Sequence, residues 1–310
     1  WPLDREHPAI VAFYSFKGGV GRSTLLGVMA WQLAHSGRRV VCIDLDLEAP
    51  GLAGLLQANA EESVIDHLLS HAATGQLPGD DPVSWVTLHG AEIGVVVAGR
   101  MDRSYIEKLG RLDYLGTAAA DDSPVARALG VLLERIRGQH RPDMILLDCR
   151  AGLHDLGGLS LTDVAQVDVL VGRDTPQGRE GLALTLEVLG ARRPEATQRV
   201  LVAQTMVPLP LEGEVARATQ ARFRSAMYEA CSRTLYATLD EMPAEDDEQV
   251  AHFPWPVGLY DEVAACEHLG EVSPGTLENA AYAAIRRRIE ALAAPEAEPA
   301  ELEDDDGDAE

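Results

Sequence analysis

Between residues 10 and 35 the chain runs from an apolar stretch, Ile10–Tyr14, through Phe16, Lys17, Gly18, Gly19, Val20, Gly21, Arg22, Ser23 and Thr24 into an apolar-periodic segment. No other feature constrains the fold so tightly. A buried strand that turns through three glycines straight into a helix is the setting of a phosphate-binding loop. The glycines let backbone N–H groups turn inward around an anion, and the helix N-terminus adds its dipole. Gly18, Gly19, Val20, Gly21, Arg22, Ser23 and Thr24 are therefore the candidate phosphate-binding residues. Ser23 offers a hydroxyl to Mg2+ and Thr24 another to the phosphates.

Short apolar runs alternate with longer helical patterns through the rest of the chain, which reads as a parallel sheet covered by helices. Strands are expected at Ile10–Tyr14, Val40–Leu45, Ile93–Ala98, Met144–Leu147, Val167–Val171 and Val200–Gln204, all apolar without polar alternation, as strands buried on both faces are. Helices are expected at Ser23–His35, Val64–His71, Arg103–Leu112, Pro124–Gln139, Arg179–Leu189, Glu214–Leu239 and Pro274–Leu292. The acidic stretch Asp240–Glu248 reads as a surface loop. With no linker between folding units, residues 1–295 are read as one domain and residues 296–310 as a disordered acidic tail.

Fifty acids against 26 bases give a net charge of −24, and Lys17 and Lys108 are the chain's two lysines. Nine of the acids lie in residues 296–310, so the remainder is acidic too. Such a surface repels phosphate backbones and anionic lipid, which argues against nucleic-acid partners and membrane docking. The run Arg286, Arg287, Arg288 precedes alanines and acids and reads as a solvated helix face. No apolar run reaches the roughly 18–20 residues of a membrane helix. Four scattered cysteines (Cys42, Cys149, Cys231, Cys266) make neither a disulfide framework nor a zinc site, so a reducing, cytoplasmic setting is expected. The chain opens at Trp1 rather than Met and reads as an excerpt or processed product.

Two further segments carry acids at strand ends. One is Cys42, Ile43, Asp44, Leu45, Asp46, Leu47, Glu48; the other is Met144, Ile145, Leu146, Leu147, Asp148, followed by Cys149, Arg150, Ala151 and Gly152. The loop itself departs from the ordinary phosphate-loop pattern. Phe16 stands where that pattern has its first glycine, and Arg22 where it has lysine. With Lys17 one position after the missing glycine, the motif resembles the deviant Walker A of the ParA/MinD superfamily of dimerising ATPases. It is most similar to the "KGGVGR" branch of bacterial conflict and signalling systems.

The resemblance implies a doubly wound, mostly parallel, three-layer α/β P-loop NTPase that binds ATP with Mg2+. It implies that Asp46 orients or activates the attacking water, and that Ser23, Asp44 and Asp148 lie in the Mg2+ shell. Lys17 would reach across a homodimer interface to the partner's phosphates. Arg22 is expected on the β- and γ-phosphates. Gln204 and Pro256 fall where the family reads adenine, although such residues are more often a strand-end polar group and a turn proline. His154, near the second switch, is read as a surface-loop histidine. The expected activity is slow ATP hydrolysis that times a switch and signals to a protein partner or fused effector. The alternative is a hydrolysis-deficient ATP-sensing scaffold.

Overall fold

The computed structural model describes residues 8–59, 62–115, 124–152, 164–192, 199–237 and 239–294. Trp1, His154 and the acidic tail lie outside them, as does the second switch beyond Gly152. Eight strands form one sheet: β1 (Ala9–Tyr14), β2 (Val40–Asp44), β3 (Ser84–Leu88), β4 (Ala91–Val96), β5 (Met144–Asp148), β6 (Val167–Gly172), β7 (Val200–Val207) and β8 (Pro254–Gly258). Their order is β3-β4-β2-β5-β1-β6-β7-β8, parallel throughout except for β3 against β4.

Period-two alternation divides each strand between two helix layers. From β1, Ile10, Ala12 and Tyr14 enter one layer while Val11 and Phe13 enter the other. The first layer holds α3 (Val64–Thr74), α4 (Arg103–Leu115), α5 (Pro124–His140), α6 (Pro176–Arg192) and α7 (Glu214–Arg233). The second holds α1 (Arg22–His35), α2 (Leu52–Leu55) and the C-terminal helices α9 (Pro274–Leu277) and α10 (Ala280–Ala293), with the short α8 (Asp261–Ala265) beside them. This is the expected doubly wound, three-layer arrangement.

Four elements differ from the sequence expectation. Residues 84–88, not expected as a strand, return antiparallel on β4 through His89 and Gly90, whose φ values of 45° and 84° are those of a tight hairpin turn. Pro254 and Pro256 disguised β8, which tolerates them because it is an edge strand. The single helix expected over Pro274–Leu292 is two. The Asn279 side chain accepts from the N–H groups of Ala281 and Tyr282 at 3.0 and 3.2 Å and so starts α10 afresh. The long helix expected to reach Leu239 ends at Arg233, and residues 240–248 are turns and bends, as expected of a surface loop.

Candidate phosphate and cation site

The loop lies at the C-terminal end of β1, where β1 is flanked by β5 and β6 and successive crossovers leave in opposite directions. Ligands of open parallel sheets collect at such a point. Gly19 and Gly21 have φ of 73° and 79°, so a side chain at either position would be strained. Gly21 is also the N-cap of α1 and supplies no side-chain cap. The first-turn N–H groups of α1 are thus not taken by a capping side chain, which suits an anion. A cavity of about 190 Å³ opens on the loop, lined by Phe16 to Val20 and, from the β6–α6 connection, by Arg173, Thr175 and Gly178. Thr205 braces it from beneath: its hydroxyl donates to the carbonyl of Val20 at 2.6 Å, with the carbonyl of Gly172 3.1 Å away. Sequence reading missed Arg173, Thr175 and Thr205, for which no local motif exists.

Lys17 is exposed, and its Nζ donates to Gln177 Oε1 at 2.9 Å. Arg22 points away from the cavity. Its Nε donates to Asp148 Oδ1 at 2.5 Å and its Nη2 to Asp46 Oδ2 at 2.8 Å, with Ser23 Oγ 3.4 Å from Nη2. The arginine is 7% exposed and Asp148 fully buried. The expected phosphate contact of Arg22 is thus not its position here, because two carboxylates hold the guanidinium on the opposite side of the loop. Burial works against the charge on Arg22, but Asp148 and Asp46 outweigh it and raise its pKa. Burial pushes Asp148 above the ordinary carboxylate range, against the pull of Arg22.

Asp44 and Asp148 are paired in register at the ends of β2 and β5, yet their surroundings differ. Asp44 Oδ1 accepts from the N–H of Asp46, and Oδ2 from those of Gly51 and Leu52, all at 3.1 Å. It folds residues 44–52 back onto the strand end. Burial, and then the charge of Asp148, push Asp44 up to about 7 against those three donors. Both Asp44 oxygens thus accept from the backbone at the end of β2. Asp148 Oδ2, by contrast, is buried without a hydrogen-bond partner. That oxygen and the Ser23 hydroxyl fit Mg2+, which takes few protein ligands and completes its shell with water and phosphate oxygens. Among the described residues no group of three or more His, Cys, Asp or Glu is placed to hold a metal.

A second pair lies outside the first, where Arg150 donates to Glu48. Together with the Leu45 N–H to Asp148 carbonyl bond of 3.0 Å, it ties the segment after β2 to the segment after β5. The expected adenine readers do not join this site. Gln204 is 1% exposed within β7. Pro256, its register partner on β8, lines a separate cavity of about 380 Å³ with Phe253, Trp255 and Arg224.

A glycine loop at the switch point of a doubly wound sheet, with a buried acid at the next strand end, defines the class as a P-loop NTPase fold. Comparison places it more narrowly. A family model for ParA, described as an NUBPL iron-transfer P-loop NTPase, matches residues 7–112, about a third of the chain. No curated protein matches the sequence. Apo McdA from Cyanothece superimposes with a TM-score of 0.63 at 14% identity, covering 92% of this chain and 99% of that one. The pNOB8 ParA bound to nonspecific DNA gives 0.59 at 15% identity, covering 92% and 98%. Cobyrinic acid a,c-diamide synthase from Mycobacterium smegmatis, with a bound ATP analogue and magnesium, gives 0.51 at 19%, covering 69% and 78%. The fold is that of the ParA/MinD P-loop NTPases. Among the described residues no helix is long and apolar enough to cross a membrane.

Proposed function

We infer that the chain is a Mg2+-dependent ATPase that works as a slow molecular switch of the deviant Walker A, "KGGVGR" kind. It dimerises around Mg-ATP and passes its state to a protein partner or fused effector in a bacterial conflict or signalling system. The observation that carries this reading is the convergence of Ser23, Asp46 and Asp148 beside a glycine loop whose helix N-terminus has no side-chain cap. Phosphoryl transfer asks mainly for positioning and charge neutralisation, and these parts supply both. The loop amides and α1 N-terminus would hold the phosphates, while Ser23 and Asp148 would hold Mg2+, which neutralises phosphate charge when bound. Asp46 would orient the attacking water. Lys17, exposed at the mouth of the loop, is free of buried contacts and can serve a second copy.

One solved relative is described in complex with nonspecific DNA; the charge of −24 on this chain opposes that use. Residues 1–295 form the ATPase domain in this reading, and residues 296–310 an acidic extension. The test is sizing and turnover together. ATP, but not ADP, converts the monomer to a dimer, and radiolabelled ATP is consumed over hours. A protein that stays monomeric with ATP and consumes none overturns it. The second reading, a sensor that binds ATP without hydrolysis, draws on the Arg22–Asp46 ion pair, which occupies one oxygen of Asp46. ATP-dependent dimers with no turnover would favour it.

A further inference from the structure

Every group given a metal or water role in the preceding reading has Arg22 beside it. The guanidinium lies 2.5 Å from Asp148, 2.8 Å from Asp46 and 3.4 Å from the Ser23 hydroxyl. We propose that Arg22 is the resident cation of the nucleotide-free site, so that a divalent ion enters only with a nucleotide whose phosphates draw the arginine away.

The chemistry follows from the side chain. A guanidinium presents several N–H donors in a fixed planar fork and meets two carboxylates through different nitrogens. A lysine ammonium is a single point charge and cannot span both in that way. The arginine at position 22, a departure from the ordinary loop pattern, lets each carboxylate be met by its own nitrogen in one rigid plane. A divalent ion on the second oxygen of Asp148 would sit close to the guanidinium on the first, and like charges so near each other in a buried setting disfavour joint occupancy. The Asp148 oxygen that lacks a hydrogen-bond partner becomes useful only when the positive charge beside it can be exchanged. Arg22 is also the first residue of α1, next to the loop amides. Phosphates bound at those amides attract the guanidinium, and a side-chain rotation releases Asp148 and Asp46 together. Metal entry and the freeing of Asp46 are then one event. The protein would neither bind Mg2+ idly nor orient water before nucleotide is present.

The proposal rests on the nucleotide reading, and its test separates the two. Mn2+ is titrated into nucleotide-free protein and the free ion is followed by electron paramagnetic resonance. The parent should show no saturable site. Arg22→Gln should gain one site, about tenfold or more tighter than any binding by the parent. If Arg22→Gln does not fold by circular dichroism, Arg22→Gln combined with Asp46→Asn removes one charge of each sign while leaving Asp148 and Ser23, and should gain the same site. Parent protein that binds Mn2+ as tightly as the folded variant, or a folded variant that binds none, overturns the proposal. Calorimetry with ATP in EDTA and in Mg2+ reports independently. Nucleotide binding with equal Mn2+ affinities sinks the arginine role alone. No nucleotide binding sinks the functional reading, and the Mn2+ comparison still decides what Arg22 does.

Discussion

The two flanks of the glycine loop have opposite characters. Toward β2 and β5 the space is filled: Arg22 bridges Asp46 and Asp148, and Arg150 closes on Glu48 outside them. Toward β6 and α6 it is open, with a cavity of about 190 Å³ edged by loop amides, Arg173 and Thr175. The filled flank gathers carboxylates at strand ends and needs a positive charge to be stable. The open flank presents donors and needs a negative one. The difference teaches that the chain neutralises its cation side from its own sequence and leaves its anion side for a ligand.

Breaking the filled flank should have the largest effect. Arg22→Ala strands a fully buried Asp148 and a nearly buried Asp46, so a loss of about 3–5 kcal/mol is expected in urea denaturation. A loss within 1 kcal/mol of the parent, against the roughly 3–5 expected, would mean that the acids find other partners. Next comes Asp46→Ala, which should leave ATP binding intact while lowering turnover by about a hundredfold. Parental turnover in that variant would make Asp46 a structural residue and strengthen the sensor reading.

Asp44 offers a test of the same flank by pH. A carboxyl held up to about 7 in the folded chain binds its proton more tightly there than in the unfolded chain. Stability from this group is therefore greatest below the unfolded value near 4 and falls as pH rises toward 7, at up to about 1.4 kcal/mol per unit. Asp44→Asn should flatten that slope. On the open flank, Thr205→Val removes the hydroxyl that donates to the Val20 carbonyl beside that of Gly172, and should cost about 1–2 kcal/mol in chemical denaturation. The smallest effect on stability belongs to Lys17→Ala, within about 0.5 kcal/mol, because the side chain is exposed. The same variant should nevertheless lose ATP-dependent dimerisation in light scattering. Normal dimers would end the idea that Lys17 acts on a partner's phosphates.

The glycine loop was legible in the sequence because its signal is local: glycine positions, a strand before and a helix after. The buried strands were legible for the same reason. The direction of Arg22 was not, since its partners lie 24 and 126 residues away and no local pattern selects carboxylate over phosphate. Asp44 and Asp46 are told apart in sequence only by the resemblance, not by their local pattern. They divide their work only through the fold, where one is taken by backbone N–H groups and the other meets Arg22. Gln204 and its neighbour in β7 look alike in sequence, but a one-residue offset in a strand moves a side chain to the other face. Thr205, next in line, is the residue that reaches the loop.

Phe16, which replaces the loop's first glycine, leaves a mechanical signature. A methyl group at Gly181 would lie 2.0 Å from its ring, so the aromatic side chain is seated directly on the backbone of α6. The same loop continues without interruption into α1, in the opposite layer. One short segment is thus geared to both sides of the sheet. The segment that would meet a ligand is thus in direct contact with helices of both layers, so its position is fixed from the two sides of the sheet together.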